Sequence, residues 1–313
     1  MARLAFHPRG ARSFGLPPED DNHSLEGLVI ERRYRVGRQV AITSSASVHE
    51  AISLKPARAT HGKMHVALKF LSPGKARDAD AVARFTHEAF LGTRFDHPSL
   101  VKVLDFGRLP DKQPYFAMAL CRGLSMSRLL AESGPLSVPL AVSLLDDAAD
   151  ALSCLHEHGV VHRDIKPGNL FVTMSSGKWP RLKVLDLGVA GIFDAERAQA
   201  LGIVDVGSRG TWGTPACLAP EQALGMPVDA RADVYALACV AYRMLTGKEP
   251  FSGSSVESTV SKHLLSMPMA ASQANPLLPE QVDGVLAWGM AKHRQYRIPT
   301  ARALVAELRD ALH

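Results

Sequence analysis

The property of this 313-residue chain that most limits its fold is a change of hydrophobic period near Gly123. Before it, apolar residues fall in short runs: YRVGRQV from Tyr34, SVHEAISL from Ser47, HVALKFL from His65, LVKVLDFG from Leu100 and PYFAMAL from Pro114. Runs of this length, rich in β-branched and aromatic residues, read as strands of a small sheet. One helical pattern interrupts them. Across DADAVARFTHEAFLGTRF, Val82, Phe85, Ala89 and Phe90 recur at near-helical spacing, with Arg84 and Glu88 four apart on another part of the surface. After Gly123 the pattern becomes that of long helices. The segment VPLAVSLLDDAADALSCLHEHG repeats Leu140, Leu144, Ala148, Leu152 and Leu155, and Gly159 provides a C-terminal stop. Further helical patterns follow at ADVYALACVAYRMLTG, SSVESTVSKHLL, PEQVDGVLAWGMA and PTARALVAELRDAL. Between them, LFVT from Leu170 and LKVLD ending at Asp186 flank the turn SSGKWP as a hairpin. Strands early and helices late predict an α+β fold of two lobes, a β-rich one over residues 33–120 and a helical one over 121–312. The hinge falls at Ala119 to Gly123, and residues 1–32, broken by Pro8, Pro17 and Pro18, read as a disordered tail and not a targeting signal.

Composition removes several classes of function. With 46% hydrophobic residues the chain can build cores without staples, and cysteines at 121, 154, 217 and 239 lack the close pairing of a zinc site. A reducing, cytoplasmic setting is the expectation. The net charge of +5 is spread thinly, which argues against a nucleic-acid partner. Arg243 interrupts the apolar run near Val234 to Leu245 and the run at Val285 to Ala291 is short, so no transmembrane anchor is expected.

Three islands carry chemistry: HRDIKPGN at His162–Asn169, DLG at Asp186–Gly188 and APE at Ala219–Glu221. Asp164, Lys166 and Asn169 share one loop after the buried helix, and Asp186 ends an apolar strand, where a carboxylate can ligate a hard cation. Lys69 lies among apolar neighbours in VALKF, and a buried ammonium needs a partner. Glu88 is the candidate. Lys69 reaching out from an edge strand, with Glu88 paired to Arg84, fits the same residues.

In this order the motifs resemble the eukaryotic-type (Hanks-type) serine/threonine protein kinases, in a bacterial-like form, over roughly residues 33 to 312. The resemblance implies a bilobal kinase fold, transfer of the ATP γ-phosphate to protein Ser or Thr hydroxyls, and use of Mg2+ or Mn2+. It assigns Asp164 to orienting and deprotonating the acceptor, Lys166 to the transferring phosphate, and Asn169 and Asp186 to the metal. Lys69 and Glu88 become the phosphate-positioning pair, Val48 and Ala67 join the nucleotide-binding positions, Met118 is the gatekeeper, and Ala119 and Cys121 are hinge residues. Thr214 would connect the catalytic residues to the peptide surface, and Arg163 would pair with a phosphate placed by self-phosphorylation on Ser208 or Thr211. Asp233, His162 and the pair Glu221–Arg297 are read as architecture, and Leu187 keeps an apolar plug where relatives carry Phe.

One region departs from the family. Aligned on Val48 and Ala51, Ala41, Thr43 and Ala46 stand where the phosphate-covering loop carries glycines. Nucleotide affinity and phosphate alignment should suffer first, so reduced activity is expected, not none. The rival reading is a pseudokinase acting through a regulatory protein partner; a small-molecule kinase fits less well, because GTPACLAPEQ resembles a peptide platform.

Overall fold

The computed structural model describes residues 25–54, 64–174, 179–203 and 215–312. Six strands form one antiparallel sheet: β1 (Val29–Ile30), β2 (Tyr34–Ile42), β3 (Ala46–Ser53), β4 (His65–Leu71), β5 (Val103–Arg108) and β6 (Pro114–Ala119), in the order β1-β2-β3-β4-β6-β5. All five expected strands are present. β1 is an addition inside the stretch assigned to a tail, and the sheet therefore starts before residue 33. A strand of two residues has no period to read, but Ile30 is buried beside Tyr34 and Val36, and β1 pairs with β2.

The period-two alternation of β4 divides the lobe into two layers. Val66, Leu68 and Phe70 pack with Tyr34, Val36, Ala51 and Tyr115 on one face. On the other, Leu71 packs with Phe85, Ala89, Val103 and Phe116 beneath α1 (Ala79–Arg94). Asp78 caps α1 by accepting from the backbone N–H groups of Asp80 (3.0 Å) and Ala81 (3.1 Å), which satisfies two of the helix's otherwise unpaired donors. Ala67 and Lys69 share the face that carries α1, so the alternation aims the lysine at the helix.

The second lobe contains α2 (Met126–Ser133), α3 (Val138–Glu157), α4 (Ala195–Ala200), α5 (Pro220–Ala223), α6 (Arg231–Thr246), α7 (Val256–Leu265), α8 (Ala271–Ala274), α9 (Gln281–Gly289) and α10 (Ala301–Ala311). α6 is buried along almost its whole length, as a helix apolar on all sides must be, and Gly247 ends it at φ 74°. α3, α9 and α10 pack around it. Small strands complete the lobe: β7 (Gly123–Ser125), β8 (Val160–Val161), β9 (Leu170–Thr173), β10 (Arg181–Val184) and β11 (Gly191–Ile192). The expected hairpin is β9 against β10, with Leu170 opposite Val184. Gly123, read as a flexible hinge residue, instead opens β7 and pairs with Thr173 of β9. Its φ is 155° and a Cβ there would collide with the Val172 carbonyl, so the glycine allows close backbone approach. Among the described residues, no helix is long and apolar enough to cross a membrane. The architecture is the bilobal α+β fold expected from the change of period.

Candidate active site

The cleft between the lobes is built from both sides. From the sheet, Lys69 pairs in register with Val48 of β3 and Phe116 of β6, which holds it centrally and excludes an edge-strand position. Its Nζ lies 2.7 Å from both carboxylate oxygens of Glu88 on α1. The alternative pairing of Glu88 with Arg84 is not the arrangement formed. Burial pulls the Lys69 ammonium down, but the Glu88 and Asp186 carboxylates outweigh it and the pKa rises above the ordinary value. Burial pushes Glu88 up to about 7, against the pull of Lys69. A carboxyl whose folded pKa is raised contributes stability that is complete below its unfolded value near 4.5 and is lost as pH rises through about 7. The unfolding free energy of Glu88→Gln should therefore gain on wild type by about 3 kcal/mol between pH 4.5 and 7.5. Urea melts at several pH values measure it, and parallel profiles would refute the assignment.

From the helical lobe, Asp164 gathers its own loop. Lys166 Nζ donates to Asp164 Oδ1 (3.0 Å) and Oδ2 (2.8 Å), and Asn169 Nδ2 donates to Oδ2 (2.7 Å) and to the Asp164 carbonyl (2.9 Å). The loop hangs on α6. Buried Asp233 accepts from the backbone N–H groups of His162 (2.8 Å) and Arg163 (2.9 Å), and its Oδ2 lies 2.7 Å from His156 Nε2. Burial alone would raise Asp233, but these partners hold it below the ordinary carboxylate range. Arg163 sits at φ 68°, a left-handed conformation rare outside glycine that the surrounding bonds sustain. His162 Nδ1 accepts from the Asp164 N–H (3.3 Å), leaving Nε2 to donate to the Leu185 carbonyl (3.0 Å). That last bond carries the loop to Asp186.

Asp186 also has a left-handed backbone, φ 64°, and its Oδ1 accepts from the Gly188 N–H (3.1 Å). Burial opposes its charge, yet Lys69 from the sheet and Lys166 from the loop both act on it, and its pKa falls below the usual value. A Cβ on Gly188 would stand 3.1 Å from Asp186 Oδ1 and 3.7 Å from Glu88 Oε2. Asp186 and Glu88 thus border one small space. Leu187 is buried in the helical core, and His87 Nε2 lies 3.0 Å from the Ala190 carbonyl, tying α1 to the segment after Asp186.

The remaining expected positions line the sheet side. Ala67 pairs with Met118 across β4 and β6, and Ala119 spends its N–H on the Lys102 carbonyl (2.9 Å). The Cys121 thiol lies 3.7 Å from the Ala119 carbonyl, and burial raises its pKa, which argues against a reactive thiolate. The β2–β3 connection is a tight turn. Ala41 pairs with Val48 at its root, the Thr43 N–H donates to the Ala46 carbonyl (2.8 Å), and the Ala46 N–H donates to Thr43 Oγ1 (3.0 Å). Thr214, Ser208 and Thr211 lie outside the described residues.

Some contributors escaped the sequence reading. Gln222 donates from Nε2 to the Arg163 carbonyl (2.8 Å) and accepts the Ala219 N–H on Oε1 (3.2 Å), joining the APE segment to the Asp164 loop. His156 supports Asp233 from α3. Neither had a usable signal, since each gains its partner only when distant elements meet. The Glu221–Arg297 pair was anticipated, and it forms with Nη1 at 2.7 Å and Nη2 at 3.0 Å from the two carboxylate oxygens.

A family model described as "Protein kinase domain" matches residues 51–307, starting after the β2–β3 turn. The chain is 34% identical over 282 residues to serine/threonine-protein kinase PknB of Mycobacterium tuberculosis, and 33% over 292 residues to a probable serine/threonine-protein kinase of Corynebacterium efficiens. Those alignments take in 88% and 90% of this chain but 42% and 41% of the relatives, so the chain spans about two fifths of their length. The crystal structure of the M. tuberculosis PknI kinase domain superposes with a TM-score of 0.69 at 26% identity, over 92% of this chain and 99% of that one. From the matched span and the two-lobed fold alike, the chain belongs to the protein kinase domain family.

Proposed function

We propose that this chain transfers the γ-phosphoryl group of ATP to serine or threonine hydroxyls of proteins. The observation that carries the reading is the meeting of Lys69–Glu88, the Asp164–Lys166–Asn169 loop and Asp186 on one cleft. Phosphoryl transfer is catalysed mainly by positioning and charge neutralisation, and these residues supply both. Asp164 takes the proton of the acceptor hydroxyl as its oxygen bonds to the γ-phosphorus and the bond to the β–γ bridging oxygen breaks, releasing ADP. Lys166, already on Asp164, is placed to neutralise the moving phosphoryl oxygens. Lys69, fixed by Glu88, is placed to hold the non-transferring phosphates. Thr214 and the hinge carbonyls are proposed for peptide and adenine contacts, and lysine two residues after the catalytic aspartate favours serine or threonine acceptors.

The family implies ATP and a divalent cation. The donor set suits Mg2+: Asp186 is held anionic, Asn169 offers an amide oxygen, and both are hard oxygen ligands. A cation bound there would draw the phosphate oxygens together and offset their charge. Incubation with radiolabelled ATP and Mg2+ or Mn2+, with a basic protein as acceptor, tests the proposal. Absence of label on both the acceptor and the chain itself, in a folded sample, would reject it.

A second reading has its own observation. No glycine stands at 41, 43 or 46, so the side chains of the turn occupy space that the family leaves to backbone N–H groups. A chain that binds nucleotide poorly and acts through a partner would show this turn. The bonds closing the turn at Thr43 favour a lid that is formed but fits phosphate less closely. Restoring glycine at 41, 43 and 46 should then lower KM for ATP about tenfold with kcat little changed, since base and metal ligands lie elsewhere. A steady-state ATP titration of the triple variant distinguishes this from a defect in kcat.

A further inference from the structure

The face of the sheet opposite Lys69 carries a groove of about 1120 Å3. Strand register fixes the side: Val48 pairs with Lys69, so its neighbours Ser47 and His49, which line the groove, point the other way. Leu25, Leu28, Ile42, Leu109 and Pro73 give it an apolar floor and rim. Leu28 is 49% and Ile42 70% exposed, so these two apolar side chains of the rim are open to solvent. Glu26, Glu31 and Asp111 line it with Arg108 and His49, and Glu31 also lies 3.4 Å from Arg33 Nη1.

We propose that this groove is an intramolecular docking site for the chain's own first sixteen residues. Their sequence complements it. Arg3, Arg9 and Arg12 face no acid before Glu19, and Leu4, Phe6, Phe14 and Leu16 supply apolar anchors. Leu25, where the described chain begins, already lines the groove. The eight residues 17–24 span up to about 27 Å when extended, enough to turn the arm back across it. A tether this short gives an effective concentration of about millimolar, so even a contact with a Kd near 0.1 mM would be mostly formed.

The position gives the docking a consequence. The groove ends at Ile42 and Ser47, the pair next to the β2–β3 turn, and at Ser72, whose N–H donates to the Ser45 carbonyl (2.8 Å). A docked arm would brace the turn from behind and make up part of the rigidity that its missing phosphate contacts would supply. This consequence rests on the kinase reading; the docking itself does not.

Limited trypsin digestion of the full chain reads the docking without catalysis. Leu4→Asp and Phe6→Asp in the arm, and Leu28→Asp in the groove, should each speed cleavage after Arg12 about tenfold, at equal urea midpoints. Leu4 and Phe6 precede the described residues, so their substitution leaves every described contact of the fold intact. Equal cleavage rates in all four proteins would overturn the docking, and protection that grows with protein concentration would overturn its intramolecular form. The same variants should raise KM for ATP severalfold with kcat unchanged. Faster cleavage with an unaltered KM would overturn the bracing alone.

Discussion

Asp164→Asn should lower kcat about a thousandfold while leaving the unfolding midpoint and the affinity for ATP nearly unchanged. The substitution is nearly isosteric. An asparagine at 164 can still accept from Lys166 through its oxygen and keep its carbonyl bond to Asn169, so the loop retains its anchors on Asp233. What disappears is the carboxylate proposed to take the hydroxyl proton, a contribution of about 10²- to 10⁴-fold in positioned general-base catalysis. Measured together, label transfer and thermal stabilisation by ATP separate two failures. A ligand at a hundred times its Kd raises stability by about 2.7 kcal/mol, so a variant that binds but does not react shifts its melting point with no labelled product. Loss of both signals would mean that Asp164 supports nucleotide binding, which contradicts the assigned role. Persistence of label would place the base elsewhere.

Arg297→Ala should cost about 3–5 kcal/mol of stability. Arg297 is 2% exposed and Glu221 5%, and besides the two bonds to Glu221 the guanidinium donates to the carbonyls of Arg231 (2.6 Å) and Ala291 (3.1 Å). It also lies over the Tyr235 ring, 5.0 Å from its centroid. Removing it strands a buried carboxylate, which is costlier than the pair itself is favourable. Against a typical total of about 5–15 kcal/mol, such a loss leaves little margin. Arg302→Ala is the control. Arg302 bonds Asp150 (3.0 Å) and Glu157 (3.2 Å) where both partners are half exposed, and a pair screened by water is worth about 0–1 kcal/mol. Urea denaturation of the two variants should therefore differ by several-fold in lost free energy. Similar small losses would show that Glu221 finds another partner or takes a proton.

The APE segment connects these two results. Arg297 holds Glu221, and the next residue, Gln222, binds the Arg163 carbonyl beside Asp164. Stability in the helical lobe and alignment in the cleft therefore share a short covalent path. A partly destabilised Arg297 variant is expected to lose kcat ahead of global unfolding.

How much of this was legible in the chain depends on the distance over which each signal acts. Hydrophobic period is local, so the five principal strands, α1, α3, α6, α7, α9 and α10 could be read from residues within one element of each other, and so could the division into two lobes. β1 could not, because two residues establish no period and Ile30 gains its burial only from Tyr34 and Val36 across a turn. Asp164, Lys166, Asn169 and Asp186 stood out through the resemblance of their motifs to the family, and the bonds among the first three form within one covalently short loop. The pairing of Lys69 with Glu88 stayed open between two partners until the register of β4 placed the lysine centrally and α1 packed over it. Gln222 and His156 acquire their tasks through bonds to Arg163 and Asp233 that bridge 59 and 77 residues. The pKa of Glu88 belongs to the same class, because it follows from water excluded by α1 and the sheet together. Side-chain identity and local periodicity determined which elements and which reactive groups this protein has; only tertiary packing decided which of them meet, because desolvation and hydrogen-bond geometry arise between elements and are written in neither one alone.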